Sequence, residues 1–249
     1  MTDVALDGSE PENSSIIGRL LDEISWEGNA KKYRGGGRGI ENVLTAEVFT
    51  SLDFLPRAAF LGEVIASAQG ADAARAQLVA EVEKATVSAL PGDVPLAGSS
   101  ISVQPDVLLT SASIYTLVEA KRIRSSRFGT DQLARELTVT VQQAGHRVPL
   151  LLVVLGSPPP VRVEKIAGRV SLEDAINRSL EDADVWRQIG IEPGDLAGRI
   201  PETLAWTTWG QIREVLEVSR LRFAAAPDTL GASVTRLCAA ATRAIDWHG

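Results

Sequence analysis

The segment ISVQPDVLLTSASIYTLVEAK, residues 101–121, decides the fold and carries the candidate chemistry. Two apolar, β-rich runs at 101–110 and 114–121 flank small polar residues, so the pattern predicts a β-hairpin. Because side chains alternate across a strand, Glu119 and Lys121 lie on one face of the second run. The residues between and before them lie on the other face, which belongs to the core.

Two carboxylates are expected to meet on this hairpin. A turn at Ala112 and Ser113 places Asp106 roughly opposite Glu119. Like charges side by side on a sheet repel, and strand interiors are depleted in Asp, Glu and Lys. A divalent cation would relieve the repulsion, and carboxylate oxygens suit a hard ion such as Mg²⁺ or Mn²⁺. With Lys121 beside the ion to orient a water molecule, the set suits hydrolysis of a phosphodiester.

The competing interpretation of these residues is structural. Glu119 and Lys121 would form a solvated ion pair on an open sheet face, and Asp106 would be a turn residue after Pro105. The elements that follow the hairpin favour the chemical interpretation, because they supply a basic run, a helix and a buried strand in succession.

Pro105-Asp106 followed by Glu119-Ala120-Lys121 resembles the PD-(D/E)XK nucleases, the restriction-endonuclease-like superfamily. The resemblance implies that Asp106 and Glu119 bind Mg²⁺ (or Mn²⁺) through their carboxylates, Ala120 adds its backbone carbonyl and Lys121 positions the attacking water. It implies an α/β fold in which helices flank a central mixed sheet of four or five strands. It also implies DNA as the substrate, in defence against foreign DNA or in DNA repair.

Two more site residues follow from the same resemblance. Gln132 stands where one branch of the superfamily often has a glutamine that orients the active site, although Glu136 stands where that branch commonly has tyrosine. The core usually begins with a helix whose glutamate completes the metal site, and Glu41 and Glu47 are the candidates. They lie about 240° apart around a straight helix, so only one can face the metal. The pattern Glu-Asn-x-x-Thr favours Glu41; the alternative is that both are ordinary first-turn acids.

A basic strip follows the hairpin. Arg122, Arg124 and Arg127 are the predicted nucleic-acid-binding residues, within a chain whose net charge of −7 argues against binding DNA by bulk attraction. A second basic, glycine-rich stretch at 28–39 does not have the P-loop pattern. It is either a loop that touches the DNA backbone or a plain connection.

The length and composition of the chain predict a single domain. With 249 residues, 45% of them apolar, and no hydrophobic run of bilayer length, we expect a disordered acidic tail at 1–15 and a single domain at 16–249. The tail has no apolar core of a secretory signal, so the expected location is cytoplasmic, without a membrane. A helical insertion is expected at about 164–200.

Patterns of apolar residues predict the other elements. Helices are expected at 16–24, at 40–55, at about 58–68, at 71–90, from about 130 to 145, from about 210 and at about 228–247, with buried strands at 148–156 and 204–208. Trp206 and Trp209 flank the last strand, where they either stack bases or pack a helix on the sheet.

Two other classes of function remain open at this stage. The chain is otherwise a non-catalytic nucleic-acid-binding or interaction module on the same fold, or a nuclease that acts on RNA. A homodimer, or a partner protein of a defence system, is a further expectation.

Overall fold

The computed structural model describes residues 39–99, 102–124, 127–181, 186, 190, 192–224 and 229–248. The predicted acidic tail, the predicted helix at 16–24 and nearly all of the basic stretch at 28–39 lie outside these residues. The backbone of Glu41 is included, but its side chain is not among those described.

In the described chain, three α-helices are followed by six short strands, and helices and strands are interspersed after them. The strands are β1 Thr86–Ala89, β2 Val94–Pro95, β3 Ser102–Val103, β4 Val107–Thr110, β5 Ile114–Ala120, β6 Arg127–Phe128, β7 Val148–Leu155, β8 Arg162–Val163 and β9 Leu204–Thr208. The helices are α1 Gly39–Phe54, α2 Leu61–Ser67, α3 Asp72–Glu81, α4 Gln132–Ala144, α5 Leu172–Leu180, α6 Pro193–Thr203, α7 Trp209–Ala224 and α8 Thr229–His248. No helix in the described ranges combines the length and the apolar character needed to cross a bilayer.

Five strands form one mixed sheet in the order β1-β4-β5-β7-β9. β1, β4 and β5 pair antiparallel, whereas β5, β7 and β9 pair parallel. The apolar run of β7 lies between β5 and β9 and is buried over its last six residues, as expected for a strand covered on both faces. The predicted fold class, α/β with a central mixed sheet of four or five strands and helices on both faces, is confirmed.

The two faces of β5 belong to different layers of the core. Val118 and Ala120 face one cluster, which is completed by α1, α2, α3, α7 and α8. Leu117 faces the other cluster, to which α4, α5 and α6 contribute Leu137, Ile176 and Ile200. The segment predicted as a helical insertion therefore contains α5 and most of α6, and it covers one face of the sheet. Glu119 and Lys121 project to this second side, as the alternation predicts.

The single helix predicted at 71–90 is wrong beyond Glu81. A 3₁₀ turn at Val82–Lys84 follows α3, and the chain then forms β1, which pairs with β4 from Thr86↔Thr110 to Ala89↔Val107. Tertiary pairing overrides the local helix propensity here. Without β1, β4 would be an edge strand with unpaired backbone groups.

The first strand of the hairpin is shorter than the predicted 101–110. Pro105 has no backbone N–H to donate, and the pairing with β5 begins at Val107. The residues before it, β3, pair instead with β2 in a separate two-stranded sheet. The break at Pro105 leaves Asp106 at the very end of β4, next to β5.

Candidate active site

Asp106 and Glu119 lie side by side at the end of the hairpin. The register of β4 and β5 runs from Thr110↔Tyr115 to Val107↔Val118, so the next pair outward is Asp106 and Glu119. The Asp106 N–H donates to the Val118 carbonyl at 3.1 Å, and the Asp106 Oδ2 accepts the Ala120 N–H at 2.7 Å. The register therefore places Asp106 opposite Glu119, as the hairpin pattern predicts, and the chemical roles of the two carboxylates stay predictions.

Lys121 and Gln132 contact the Glu119 carboxylate, and Lys121 also contacts the Phe128 ring. Lys121 Nζ lies 2.5 Å from Glu119 Oε1, and the same oxygen accepts a hydrogen bond from Gln132 Nε2 at 2.6 Å. The Lys121 ammonium also sits 5.1 Å from the centre of the Phe128 ring, in cation–π geometry. Glu119 and Lys121 are 5% and 9% exposed, so this is not the solvated ion pair of the structural interpretation. The predicted contact between Gln132 and the site exists.

Trp209 fixes the backbone beneath the site. Its indole Nε1 donates to the Lys121 carbonyl at 2.7 Å, and the side chain is fully buried in the sheet–helix core. Trp206 is partly buried and packs against the second core cluster. For Trp209 the structure therefore supports helix–sheet packing over base stacking.

Glu136 is the site residue that the sequence analysis did not assign. It lies one turn after Gln132 on α4, is 5% exposed, and its Oε2 has no hydrogen-bond partner among the described residues. Burial raises the pKa of Glu136 well above its usual range, Glu119 and Asp106 raise it further, and Lys121 and a hydrogen bond with Gln132 oppose the shift. The i, i+4 spacing from Gln132 is the signal that would have placed Glu136 at the site.

A cavity of about 730 Å³ opens above these residues. Asp106, Glu119 and Lys121 lie in its wall, and Gln132 and Glu136 enter it from α4. Basic side chains stand around the same cavity, namely Arg122, Arg127, Arg135 and Lys165. The cavity therefore places buried acidic groups beside groups that suit a phosphate.

The structure separates the predicted arginines. Arg122 and Arg127 line the cavity, whereas Arg124 lies on the exposed turn after β5 and is not part of the lining. Arg127 is carried by β6, which pairs with β8. Its Nε lies 3.9 Å from Glu164 Oε1. Lys165, which follows, was not predicted; it has a left-handed backbone with φ of 62°.

The two candidate glutamates of α1 lie differently. Glu47 is exposed and does not line the cavity. Burial lowers the pKa of His248 at the end of α8, and the Glu47 carboxylate counteracts that shift. Asn42, the residue after Glu41, does line the cavity, so the first turn of α1 lies at the site. Glu41 stays the prediction from the sequence, because its side chain is not among those described.

The donor set for a cation is small. Among the described residues, no group of three or more His, Cys, Asp or Glu side chains is arranged to hold a metal ion. Asp106 and Glu119 supply carboxylate oxygens, and Ala120, the residue after Glu119, donates its N–H to Asp106 Oδ2. One or two carboxylates, with the remaining positions taken by water and substrate phosphate, are typical of Mg²⁺.

Comparisons with known proteins assign no role to any of these residues. No family model, curated protein or solved structure matches the chain. The site geometry and the motif in the sequence are therefore the features that indicate a function.

Replacing Glu136 with glutamine is expected to stabilise the cation-free protein near pH 7.5. A buried, unsatisfied acidic group costs about 1–3 kcal/mol, and the neutral amide avoids the cost of ionisation. The pKa of Glu136 is higher in the folded state than in the unfolded state. Its destabilisation of the wild-type fold is therefore absent below about pH 4.5, the usual pKa of the group, and grows as the pH rises towards the folded-state pKa. Thermal melts of both proteins in EDTA across this pH range measure the difference. A difference that does not vary with pH would contradict the electrostatic account.

Proposed function

We propose that the protein is a Mg²⁺- or Mn²⁺-dependent nuclease that hydrolyses DNA phosphodiester bonds. The observation that carries the proposal is the buried set of Asp106, Glu119 and Lys121 in the wall of a cavity bordered by basic side chains. Core packing does not account for two adjacent carboxylates next to a lysine at the end of a hairpin. The proposed nuclease belongs to the PD-(D/E)XK type that the sequence resembles.

The residues present fit a hard divalent cation. The carboxylates of Asp106 and Glu119 and the backbone carbonyl of Ala120 would hold it, and Glu41 is the further acid proposed from α1. A bound cation of this kind polarises a phosphoryl oxygen and lowers the pKa of a coordinated water. Repulsion between the paired carboxylates, of which Glu119 is contacted by Lys121 and Gln132, is the reason to expect it.

The surrounding side chains have separate proposed roles in the reaction. Lys121 positions the attacking water and stabilises charge on the phosphate, which is an electrostatic task for a preorganised donor. Gln132 holds Glu119 Oε1 in place, so that the orientation of that carboxylate does not depend on Lys121 alone. Arg122 and Arg127 contact the phosphates of the strand next to the cleaved bond.

Basic groups concentrated at the cavity reconcile DNA binding with the net charge of −7. The positive side chains stand where the substrate is expected, so attraction is local and not spread over the surface. We place the reaction in the cytoplasm, in defence against foreign DNA or in DNA repair, by a homodimer or with a partner protein.

Chelation is expected to abolish the activity. Plasmid and linear duplex DNA, single-stranded DNA and RNA of matched length are incubated with the protein in Mg²⁺, in Mn²⁺ and in excess EDTA. We expect cleavage of DNA with either cation, background levels in EDTA, and recovery when Mg²⁺ is added beyond the chelator. Cleavage of RNA in preference to DNA would mean that RNA is the substrate.

The matched control for this experiment is Asp106→Asn. The amide is nearly isosteric and retains an oxygen to accept the Ala120 N–H. The nuclease proposal would be overturned if wild type and this variant cleave equally, or if neither of them cleaves any of the substrates. Nucleic-acid binding without cleavage would indicate a non-catalytic module.

A further inference from the structure

Glu136 is a buried acid that the proposed reaction has not used. Its carboxyl lies on the cavity side of α4, and Oε2 has no hydrogen-bond partner among the residues described. Buried polar groups are nearly always hydrogen-bonded, and an unsatisfied one costs about 1–3 kcal/mol. Gln132, one turn earlier on the same face, donates to Glu119 and also hydrogen-bonds the Glu136 carboxyl, which leaves Oε2 as the open acceptor. Glu136 therefore has acceptor capacity for a partner that arrives in another state of the site.

Lys121 is the cation best placed to become that partner. Its ammonium, with three N–H donors on a flexible stem, acts electrostatically on both Glu119 and Glu136. In the present state it pairs with Glu119 Oε1, the oxygen that also accepts from Gln132. The face of the Phe128 ring holds the ammonium on the α4 side of the sheet.

We propose that Glu136 is a positioning residue for Lys121. When a divalent cation occupies Asp106 and Glu119, Lys121 exchanges its ion pair with Glu119 for one with Glu136. The inference rests on the proposed function, because it requires a cation on the two carboxylates.

Charge repulsion drives the exchange. A divalent cation on Glu119 brings like charge within a few ångströms of the ammonium and removes most of the attraction that now holds Lys121 there. Gln132 keeps its hydrogen bond and so preserves the orientation of Glu119. Closer approach of the ammonium favours the ionised form of Glu136, which then supplies the opposite charge from the helix side and keeps Lys121 in the cavity, next to the reacting phosphate. Loss of this partner leaves Lys121 present but misplaced.

The test compares Glu136→Gln and Glu136→Asp with wild type, with Glu173→Gln as the control. Glu173 is an exposed acid in the first turn of α5, on no wall of the cavity. We expect Glu136→Gln to lower kcat by about 10–100-fold, the usual cost of losing a supporting residue, while KM for DNA changes less than about twofold. Glu136→Asp retains the charge and is expected to recover part of kcat.

A second measurement does not depend on activity. Mn²⁺ binding, measured by calorimetry without DNA, is expected to have the same affinity in wild type and Glu136→Gln within about threefold, since Glu136 is not a ligand. A crystal structure of the wild type soaked in Mn²⁺ is expected to show Lys121 Nζ within hydrogen-bond distance of Glu136.

The outcomes separate the two proposals. Unchanged kcat in Glu136→Gln, a loss of Mn²⁺ affinity, or a Mn²⁺-soaked structure in which Lys121 still pairs with Glu119 each overturns the positioning role while wild-type cleavage upholds the nuclease. A wild type that binds no Mn²⁺ and cleaves nothing overturns both.

Discussion

Replacing Lys121 with methionine is expected to lower kcat for DNA cleavage by about 10²–10⁴-fold, the usual contribution of a group that handles the reacting proton or water. Methionine retains most of the length of the side chain and its contact with the Phe128 ring, so packing is largely preserved. The fold is also supported by backbone contacts that the substitution leaves in place. The Lys121 N–H donates to the Val154 carbonyl at 2.8 Å, and its carbonyl accepts from Trp209. The loss is therefore expected in kcat, without unfolding.

The matched control for this prediction is Lys84→Met. Lys84 is exposed in the 3₁₀ turn after α3 and does not line the cavity. Initial rates at saturating DNA and saturating Mg²⁺, with circular dichroism of each variant, measure the effect. Equal kcat for Lys121→Met and the control would contradict a role for Lys121 in the reaction and would leave the ion pair with Glu119 as a structural contact.

The arrangement of the hairpin was predictable because it follows from local rules. Once a tight turn at Ser111–Ser113 is recognised, alternation and pairing place Asp106 against Glu119 without any knowledge of the rest of the chain. The apolar run of β7 was predictable for a similar reason, since a strand that is buried on both faces has no polar side. These features lie close together in sequence or depend on composition alone.

The remaining part of the site depends on contacts between distant segments. β6 and β8 have two residues each, too short to give a periodic signal, yet their pairing brings Arg127 and Lys165 to the same cavity. Nothing in the local sequence around Lys165 indicates which side chains it will meet. β1 was missed for the same reason, because only β4 makes it a strand.

Glu136 is an intermediate case. Helical spacing from Gln132 predicts that both side chains lie on one face of α4, but the identity of the residue differs from the superfamily pattern. Tyrosine commonly occupies this position in that pattern, so the sequence alone assigns no role to Glu136. The structure shows instead a buried carboxyl in the cavity, which has consequences for stability and for Lys121. Opposite effects of Glu136→Gln on stability and on kcat would be a trade-off typical of functional sites.

Among substitutions that add a single methyl group near the site, Gly156→Ala is expected to destabilise the fold most. A Cβ atom at position 156 would lie 1.8 Å from the Ile123 carbonyl oxygen and 2.4 Å from its carbonyl carbon. Carbon atoms in contact are about 3.5–4.0 Å apart, so the backbone of one segment has to move. The obstacle is main chain and cannot be relieved by a change of rotamer. We expect a loss of about 3 kcal/mol or more in the free energy of unfolding, at the upper end for overpacking.

The displaced segment also gives Gly156→Ala an effect on activity. Ile123 follows Lys121 by two positions, so movement of its carbonyl pulls on the strand end that carries Glu119 and Lys121. Gly198→Ala is the control, because a Cβ there meets nothing within 4 Å and alanine is favoured over glycine inside α6. Urea unfolding followed by circular dichroism should show a lower midpoint for Gly156→Ala and an equal or higher one for Gly198→Ala. A wild-type midpoint and wild-type kcat for Gly156→Ala would mean that the end of β7 and the turn after β5 do not pack as described.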